Sequence, residues 1–420
     1  MLSTEDRDIL QLADLALIPP ILNTDPLPRY DYDRLDYGMT IGLERTRGGR
    51  LWACWVGGGD NHKAFFVLAT SDDDGTSWSK PRLVIDPHDD ALPLARRTIV
   101  GTLWLDPRGR LWLFFDQSMA YFDGRGGNWY TRCEEPDADN PQWTTPVRIW
   151  HGCTLNKPTV RSTGEWLLPV SLWNRGKIPP KYHVSNLPEG DEERIRPNPF
   201  SGAFKELDHL RMANVLVSHD EGVTWQLWGG VAYPSPDFDE HHLVERRDGS
   251  IWMTARTGWD HGMYHSVSLD GGVTWSKPGK YLEQVSSRHF IRRLASGRLL
   301  MVKHGMPVQT RPPVRSHLTA YLSDDDGKTW RGGLLLDERA AVSYPDGTQA
   351  PDGRIFISYD WNRDEEGNVL LARFTEEDVL TGRCVSPGSA LQVLISRPNP
   401  AAVAARHVRE KAEGFSSWPL

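Results

Sequence analysis

Short runs of apolar residues, separated by glycine turns, recur along most of the chain. In each case a turn with glycine leads directly into an apolar run, as in Gly49-Arg50-Leu51-Trp52. Further short apolar runs flank these turns, and none shows the spacing of an amphipathic helix. The pattern predicts six β-hairpins, whose glycines are Gly49, Gly109, Gly164, Gly249, Gly297 and Gly353.

The spacing of the six hairpins indicates one repeated unit. Their glycines are separated by 60, 55, 85, 48 and 56 residues. Units of roughly this length with about four strands each are typical of propeller blades. The sequence therefore predicts an all-β fold, a six-bladed β-propeller of four-stranded antiparallel blades.

A second motif, Ser-x-Asp-x-Gly-x-Thr-Trp, occurs at residues 71–78, 218–225, 268–275 and 323–330, with Ser for Thr in the first copy. Its Ser and Asp side chains can bond the backbone of their own turn, its Gly supplies a positive φ, and its Trp packs into the neighbouring layer. We expect these Asp-box turns to connect the third and fourth strands of blades one, three, four and five. Blade two keeps a remnant at Trp143, and blade six has lost the motif.

The chain divides into a propeller and two flanks. Residues 1–36 predict a short amphipathic helix, at about 5–17, followed by a proline-rich strap. Residues 37–396 hold the propeller, and residues 397–420 form a tail without a strand pattern. The longest hairpin interval contains a polar insertion, at about 174–209, which we expect to overhang one face as a loop.

Composition narrows the classes of partner. The 48 basic and 56 acidic residues give a net charge of −8, which argues against a nucleic-acid partner. No apolar run of about 18 residues predicts a membrane span, and the N-terminal segment lacks the basic start of a signal peptide. The cytoplasm is therefore the default expectation, with the periplasm or secretion as the alternative if a leader was removed. Cys54, Cys133, Cys153 and Cys384 have no metal-ligand spacing and predict buried free thiols, with no cofactor or metal.

Candidate chemistry is expected where the innermost strand of each blade begins, at one end of the central channel. Counting back from each glycine hairpin places a polar, net basic ring there, which suits a carbohydrate or another small anionic ligand. The alternative is a structural role, in which these polar side chains form hydrogen bonds where the inner strands converge around water. The ring contains Met39, Thr40, Arg96, Arg97, Thr98, Asn156, Lys157, Glu240, His241, His242, Ser287, Arg288, His289 and Tyr344.

Two segments of this ring resemble the sialidase superfamily, whose members are six-bladed Asp-box propellers. Residues 239–249, with Glu240 near their start and Arg256 at the end of the next strand, are similar to the blade-four segment of that family. Ser343-Tyr344-Pro345-Asp346 is similar to the segment that carries the family's nucleophilic tyrosine. The likeness covers roughly residues 36–375 and implies an exo-acting glycoside hydrolase of a terminal acidic sugar.

The resemblance implies a catalytic role for three residues. Tyr344 would attack the anomeric carbon while Glu240 takes its proton, because a tyrosine with an ordinary pKa near 10 is a weak nucleophile. Asp60, eleven residues before the first Asp box, stands in the loop that carries the family's acid/base aspartate. His62 is the local alternative for that role.

The family holds a sugar carboxylate with three arginines, and the chain matches two of them. Arg256 and Arg315 stand at matching positions, but Met39 stands where blade one of the family carries the first arginine. A thioether offers none of the bidentate, charge-assisted bonds of a guanidinium. The chain therefore resembles a divergent member of the sialidase superfamily, in which we expect the recognition of the ligand to have changed. Residues of other blades that could replace the missing arginine are Arg97, Lys157 and Arg288.

Two other functions fit the same ring of residues. His241 and His289 could serve as base and acid in a polysaccharide lyase, or in a glycosidase, that acts on uronic-acid glycosides such as rhamnosyl-glucuronate. A propeller that binds glycans without turnover is the third function, and Met39 is the argument for it. The joint presence of the three predicted catalytic residues favours the hydrolase.

Overall fold

The chain forms six antiparallel sheets arranged as propeller blades, in a computed structural model that describes residues 4–183, 195–258, 261–305 and 314–412. The four main strands of each blade follow one another along the chain, from the inner strand outward. All six predicted glycine hairpins connect the inner strand of a blade to the next strand. The predicted six-bladed fold is confirmed.

The first three blades include three additions to the four-stranded plan. Blade one contains β1 (Leu22–Asn23), β2 (Met39–Arg45), β3 (Leu51–Gly57), β4 (Phe65–Ser71) and β5 (Leu83–Ile85). Blade two contains β6 (Arg96–Arg97), β7 (Gly101–Leu105), β8 (Leu111–Met119), β9 (Gly127–Cys133) and β10 (Val147–Trp150). Blade three begins with β11 (Thr159–Val160) and β12 (Trp166–Ser171); after a separate hairpin of β13 (Lys181–His183) and β14 (Ile195–Pro197) it continues with β15 (Ala213–Ser218) and β16 (Gln226–Val231).

The last three blades have four strands each. Blade four contains β17 (His242–Glu245), β18 (Ile251–Arg256), β19 (Met263–Ser268) and β20 (Gly279–Leu282). Blade five contains β21 (Phe290–Arg293), β22 (Leu299–His304), β23 (Leu318–Ser323) and β24 (Arg331–Asp337). Blade six contains β25 (Val342–Gln349), β26 (Ile355–Trp361), β27 (Asn368–Phe374) and β28 (Ala390–Ser396).

Helices lie in the flanks and connections. The predicted N-terminal helix is present as α1 (Thr4–Asp14), which continues into the 3-10 turn Leu15–Leu17. α2 (Glu376–Thr381) connects β27 to β28, where four other blades have an Asp box. α3 (Pro400–Ala412) lies in the predicted tail, whose residues 413–420 are outside the described ones. Among the described residues, no helix is long and apolar enough to cross a bilayer. The other 3-10 helices are Pro28–Tyr30, Arg175–Lys177, Pro199–Gly202 and Lys205–Leu210.

The insertion at about 174–209 packs on the propeller, which differs from the loop that we expected. Phe200 and Phe204 are buried in the core cluster that also holds Ala13 of α1 and Trp173. Burial of such a side chain contributes about 1.5–3 kcal/mol, which favours packing of this polar segment on the propeller. Residues 184–194 of the insertion are outside the described residues.

The Asp boxes connect third and fourth strands in the four predicted blades. In the first copy, Oγ of Ser71 donates to Oδ1 of Asp73 and accepts the N–H of Gly75, both at 2.8 Å. Asp73 also accepts the N–H of Ser77 at 2.8 Å, and the same pattern recurs in the other copies. Gly75 has φ of +83°, and a Cβ there would lie 2.2 Å from Leu371, so both the turn and the space require glycine. The antiparallel pairing places these boxes beside the glycine hairpins, on the face opposite the starts of the inner strands.

The core consists of apolar clusters within and between the blades. Between blades two and three, the rings of Trp104 and Trp166 meet edge to face, with centroids 4.8 Å apart, and Trp112 packs against both. Such pairs contribute about 0.5–1.5 kcal/mol each beyond their burial. Packing of these tryptophans therefore stabilises the contact between blades two and three.

The cysteines are free, and one differs from its prediction. Cys54, Cys133 and Cys153 are buried, as predicted. Cys384 is exposed instead, because it lies in the surface connection between α2 and β28.

α3 joins the beginning of the propeller to its end. Arg406 donates to the carbonyl oxygen of Asp36 at 3.1 Å and to that of Asp364 at 2.6 Å. Glu410 Oε1 accepts from Nδ2 of Asn61 at 3.1 Å. The helix thus binds both the loop after β3 and the turn between β26 and β27.

Candidate active site

Tyr344 and Glu240 meet at the channel end where the inner strands begin, which we call the mouth. Oη of Tyr344 donates to Oε1 of Glu240 at 2.7 Å, and both side chains are buried. Burial, and then the carboxylate of Glu240, raise the pKa of Tyr344 to about 12. The pair is therefore a neutral phenol with a base already in hydrogen-bond contact, the arrangement that a tyrosine nucleophile needs.

The backbone at both residues is left-handed. φ is +54° at Tyr344 and +44° at Glu240, and it is also positive at Phe238 and Asp239. Tyr344 lies in a β-bulge, where it and Pro345 face a single residue of β26. Such conformations cost about 1–3 kcal/mol for each non-glycine residue and cluster at functional sites. The surrounding contacts hold them, and the bulge aims the phenol at Glu240.

Arg256 completes the polar contacts of this pair. Its Nη1 lies 2.8 Å from Oε1 of Glu240 and 3.3 Å from Oη of Tyr344. Its Nη2 donates to Asp237 at 2.9 Å, and Asp237 also pairs with Lys177 of the insertion. Burial acts to lower the pKa of Arg256, but the two carboxylates raise it above its ordinary value. Arg256 therefore stays charged beside the phenol.

Arg315 presents a second guanidinium to the mouth. Its Cζ lies 5.9 Å from the ring centroid of Tyr344. Nε and Nη2 donate to the carbonyl oxygen of Ser286 at 3.2 and 2.9 Å, whereas Nη1 has no hydrogen-bond partner among the described residues. Burial, Arg256 and Arg363 lower the pKa of Arg315 to about 10. The mouth thus has more positive charge near Arg315 than its neighbours neutralise.

Asp60 lies in the loop after β3, and its side chain keeps 37% of its surface exposed. Its Oδ2 is 3.8 Å from Nη1 of Arg363. The surrounding protein desolvates the carboxyl and raises its pKa, while Arg363 acts in the opposite direction. A raised pKa suits a group that donates a proton. His62, the local alternative, is buried in the same loop.

Residues 49–357 match the sequence model of the BNR repeat-like domain. The chain belongs to this family. No protein of curated function matches the BNR repeat-like chain in sequence.

Three solved structures resemble this BNR repeat-like protein. The intramolecular trans-sialidase from Ruminococcus gnavus is 12% identical, with a TM-score of 0.59 over 85% of this chain and 98% of its own. A Hadza microbial sialidase is 14% identical, with a TM-score of 0.58 over 83% and 67%. A Dyadobacter fermentans protein of unknown function is 14% identical, with a TM-score of 0.55 over 81% and 95%. At these identities the likeness shows the fold alone, while the match to the BNR repeat-like model confirms the predicted family of BNR-repeat propellers.

Arg363 is a mouth residue that the sequence patterns did not single out. Its Nη1 lies 2.8 Å from Sδ of Met39, and its Cζ lies 4.3 Å from the ring centroid of Tyr344. Arg363 stands in the turn between β26 and β27, at the same end as the inner-strand starts. The run of turn residues at 362–367, with its one arginine, is the sequence signal that could have located it. We call Tyr344, Glu240, Arg256, Arg315, Arg363 and Asp60 the mouth cluster.

Two of the predicted replacements for the missing arginine lie deeper in the channel. Nζ of Lys157 binds Asp346 at 3.0 Å and Glu44 at 3.2 Å, and Arg288 binds Asp346 at 3.2 Å. Arg288 also donates to Asn156 at 2.8 Å. These five residues, the channel cluster, satisfy one another, so the structure does not bring Lys157 or Arg288 to Tyr344.

The third predicted replacement, Arg97, is fully buried near the mouth. It pairs with Asp116, and its Nε donates to the carbonyl oxygen of Tyr121 at 2.7 Å. Its guanidinium is thereby directed into blade two. The structure gives Arg97 a structural position behind the mouth.

The two histidines of the lyase hypothesis are engaged in contacts between strands. Nε2 of His241 lies 2.8 Å from the carbonyl oxygen of Asn214, and Nε2 of His289 lies 2.8 Å from Oγ1 of Thr254. Burial lowers the pKa of His241 to about 4 and that of His289 to about 3, so both stay neutral. The structure does not bring either histidine into the mouth cluster.

A cavity of about 360 Å³ is lined by inner-strand residues of blades two, three, four and five. Its lining includes Lys157 and His242 of the predicted ring and no member of the mouth cluster. Within the described ranges, no group of three or more His, Cys, Asp or Glu side chains is arranged to hold a metal ion. The mouth is therefore the place where the candidate chemistry is concentrated.

Proposed function

We propose that this protein hydrolyses the glycosidic bond of a terminal acidic sugar at the mouth cluster. The observation that carries the proposal is the 2.7 Å hydrogen bond from Tyr344 to Glu240, between two residues with left-handed backbone. Simple binding of a glycan needs no such pair. The likeness in fold to sialidases supports the same class of reaction.

In the first step, Oη of Tyr344 attacks the anomeric carbon and passes its proton to Oε1 of Glu240. The bond from that carbon to the leaving oxygen breaks, and Asp60 donates a proton to this oxygen. In the second step, Asp60 takes a proton from water, the water oxygen attacks the anomeric carbon, and Tyr344 leaves with the proton held by Glu240. Acid/base assistance of this kind contributes about 10²–10⁴-fold in rate.

An acidic sugar is favoured by the guanidinium groups of Arg256 and Arg315. Nη1 of Arg256 lies 3.3 Å from the attacking oxygen, so a carboxylate bound here lies close to the reacting carbon. A carboxylate on the anomeric carbon itself meets this requirement, whereas that of a hexuronic acid lies beyond the ring oxygen. We therefore propose glycosides of 2-ulosonic acids as the substrate class.

A panel of nitrophenyl glycosides tests the proposal. It contains glycosides of 2-ulosonic acids, hexuronic acids and neutral hexoses, with released nitrophenol and unsaturated sugar measured separately. We expect nitrophenol release from the ulosonic acid glycosides without unsaturated product. Unsaturated product would support an elimination reaction instead, and binding of these sugars without any turnover would support a glycan-binding protein.

A further inference from the structure

The corner of the mouth next to Met39 contains a guanidinium from a different blade. Met39 at the start of β2 is buried, and its sulfur is a weak hydrogen-bond acceptor. The turn between β26 and β27 brings Nη1 of Arg363 to 2.8 Å from that sulfur. Blade six thus supplies positive charge at the position where the sequence comparison with sialidases left none.

Arg363 is held firmly by its own blade. Its Nε and Nη2 donate to the two carboxylate oxygens of Asp360 at 3.2 and 3.3 Å, and Nη2 also donates to Oγ of Ser343. Asp360 is held in turn by the N–H of Thr40 at 3.2 Å. The guanidinium is therefore fixed before any ligand arrives, which lowers the entropic cost of binding.

These contacts occupy two of the three guanidinium nitrogens. Among the described residues, Nη1 donates only to the sulfur of Met39, a weak acceptor, and the carboxylate of Asp60 is 3.8 Å away. In Arg315 as well, Nε and Nη2 donate to a protein oxygen, that of Ser286, whereas Nη1 has no hydrogen-bond partner among the described residues. Two fixed guanidinium groups beside the phenol of Tyr344 thus each keep a donor for an incoming anion.

We infer that Arg363 is the third carboxylate-binding arginine of this site and takes the place that Met39 cannot fill. This inference rests on the proposed function. Arg256, Arg315 and Arg363 come from three successive blades, and all three contact or face Tyr344. A carboxylate between them receives charge-assisted hydrogen bonds beside the attacking oxygen.

The test compares a nitrophenyl ulosonic acid glycoside with its uncharged methyl ester. We expect Arg363→Met to raise KM for the acid about 10- to 100-fold, the value of a charge-assisted hydrogen bond, and to change KM for the ester little. The double variant Met39→Arg with Arg363→Met returns a guanidinium to blade one. It should recover most of the lost affinity for the acid.

Three results would overturn the inference. The first is an equal loss for acid and ester, which indicates a structural role for Arg363. The second is an unchanged KM for the acid in Arg363→Met. The third is a folded double variant without recovery. If Arg363→Met does not fold, Arg363→Lys keeps a positive charge beside Asp360 and removes the forked donor, and the same rise in KM for the acid is expected.

Absence of turnover in the wild-type protein would contradict the proposed function alone. The inference is then tested by calorimetric binding of a free 2-ulosonic acid to the wild-type protein and to Arg363→Met. Binding that is lost in the variant supports the inference. Equal binding to both proteins, or binding to neither, overturns it.

Discussion

The channel cluster and the mouth cluster are both groups of charged side chains in one channel, and they differ in how completely the charges are partnered. In the channel cluster, Asp346 accepts from Arg288 at 3.2 Å, from Lys157 at 3.0 Å and from the N–H of Leu43 at 2.8 Å. In the mouth cluster, Oε2 of Glu240 is buried without a partner among the described residues. Nη1 of Arg315 lacks one as well.

Buried charge alone therefore does not mark a functional site. A buried ion pair with all its bonds made is a structural unit, and removal of one partner destabilises the fold. A buried polar atom without a partner, next to residues with strained backbone, indicates a place for a ligand. Only the mouth cluster combines both features among the groups compared here.

The largest effect is expected from the phenol of the mouth. Tyr344→Phe removes the attacking oxygen, so kcat for the glycoside that the wild-type protein hydrolyses should fall about 10³-fold or more, as measured by nitrophenol release. The free energy of unfolding should change by only about 1 kcal/mol. The matched control is Tyr359→Phe, which removes a buried hydroxyl bound to Asp337 at 3.2 Å and should keep kcat. Nearly intact hydrolysis by Tyr344→Phe would show that the nucleophile is misassigned.

The channel cluster should respond in the opposite way. Lys157→Met leaves Glu44 and one oxygen of Asp346 without their cation, so the free energy of unfolding should fall by about 3–5 kcal/mol in denaturant titrations. KM of this variant should stay unchanged at a low assay temperature at which it remains folded. Arg315→Met in the mouth is the counterpart and should raise KM with a smaller loss of stability. Equal losses of unfolding free energy in Lys157→Met and Arg315→Met would contradict the distinction between a structural channel cluster and a ligand-binding mouth cluster.

Asp239, the neighbour of Glu240 in the chain, gives the mouth a pH dependence. Burial, Glu240 and Asp237 raise the pKa of Asp239 to about 7, and its Oδ1 is unpartnered among the described residues. Since this pKa is above the value of about 3.9 in the unfolded chain, the stabilisation is full below about pH 4 and is lost as pH rises through about 7. Asp239→Asn should reduce the loss of unfolding free energy between about pH 5 and 8 by about 2–3 kcal/mol. Thermal unfolding at both pH values measures this, and parallel losses in both proteins would contradict it.

The smallest effect is expected from a substitution in an Asp box, on the face opposite the mouth. Ser71→Ala removes the hydroxyl that bonds Asp73 and the N–H of Gly75. The free energy of unfolding should fall by about 1–2 kcal/mol, with kcat and KM unchanged. A drop in kcat would mean that the Asp-box face and the mouth are coupled, and that the two regions are not independent.

The blade register was predictable because it depends on local signals. A glycine hairpin or an Asp box is specified by a few neighbouring residues, so six hairpins locate the first residue of every inner strand. Tyr344 and Glu240 stand at such positions, and the resemblance to sialidases supplied their pairing. Their left-handed backbone was beyond prediction, because it is imposed by contacts with other blades.

Arg363 was beyond the same reasoning. The run of turn residues at 362–367 could have located its turn, but the direction of its side chain depends on Asp360 and Ser343. Lys157 and Arg288 show the converse error. They were correctly placed on the ring of inner strands, but the depth of each residue in the channel is set by the packing of all six blades.

The contacts of α3 have a consequence for the time at which the mouth is completed during synthesis. Asn61, beside Asp60, and Glu410 are 349 residues apart and are bonded in the folded protein. At about 5–20 residues per second, the ribosome adds Glu410 roughly 20–70 s after Asn61. The same helix holds the Arg363 turn through Asp364. A nascent chain in which all six blades have been synthesised therefore still lacks α3. Until α3 is added, the contacts that hold the Asp60 loop and the Arg363 turn cannot form.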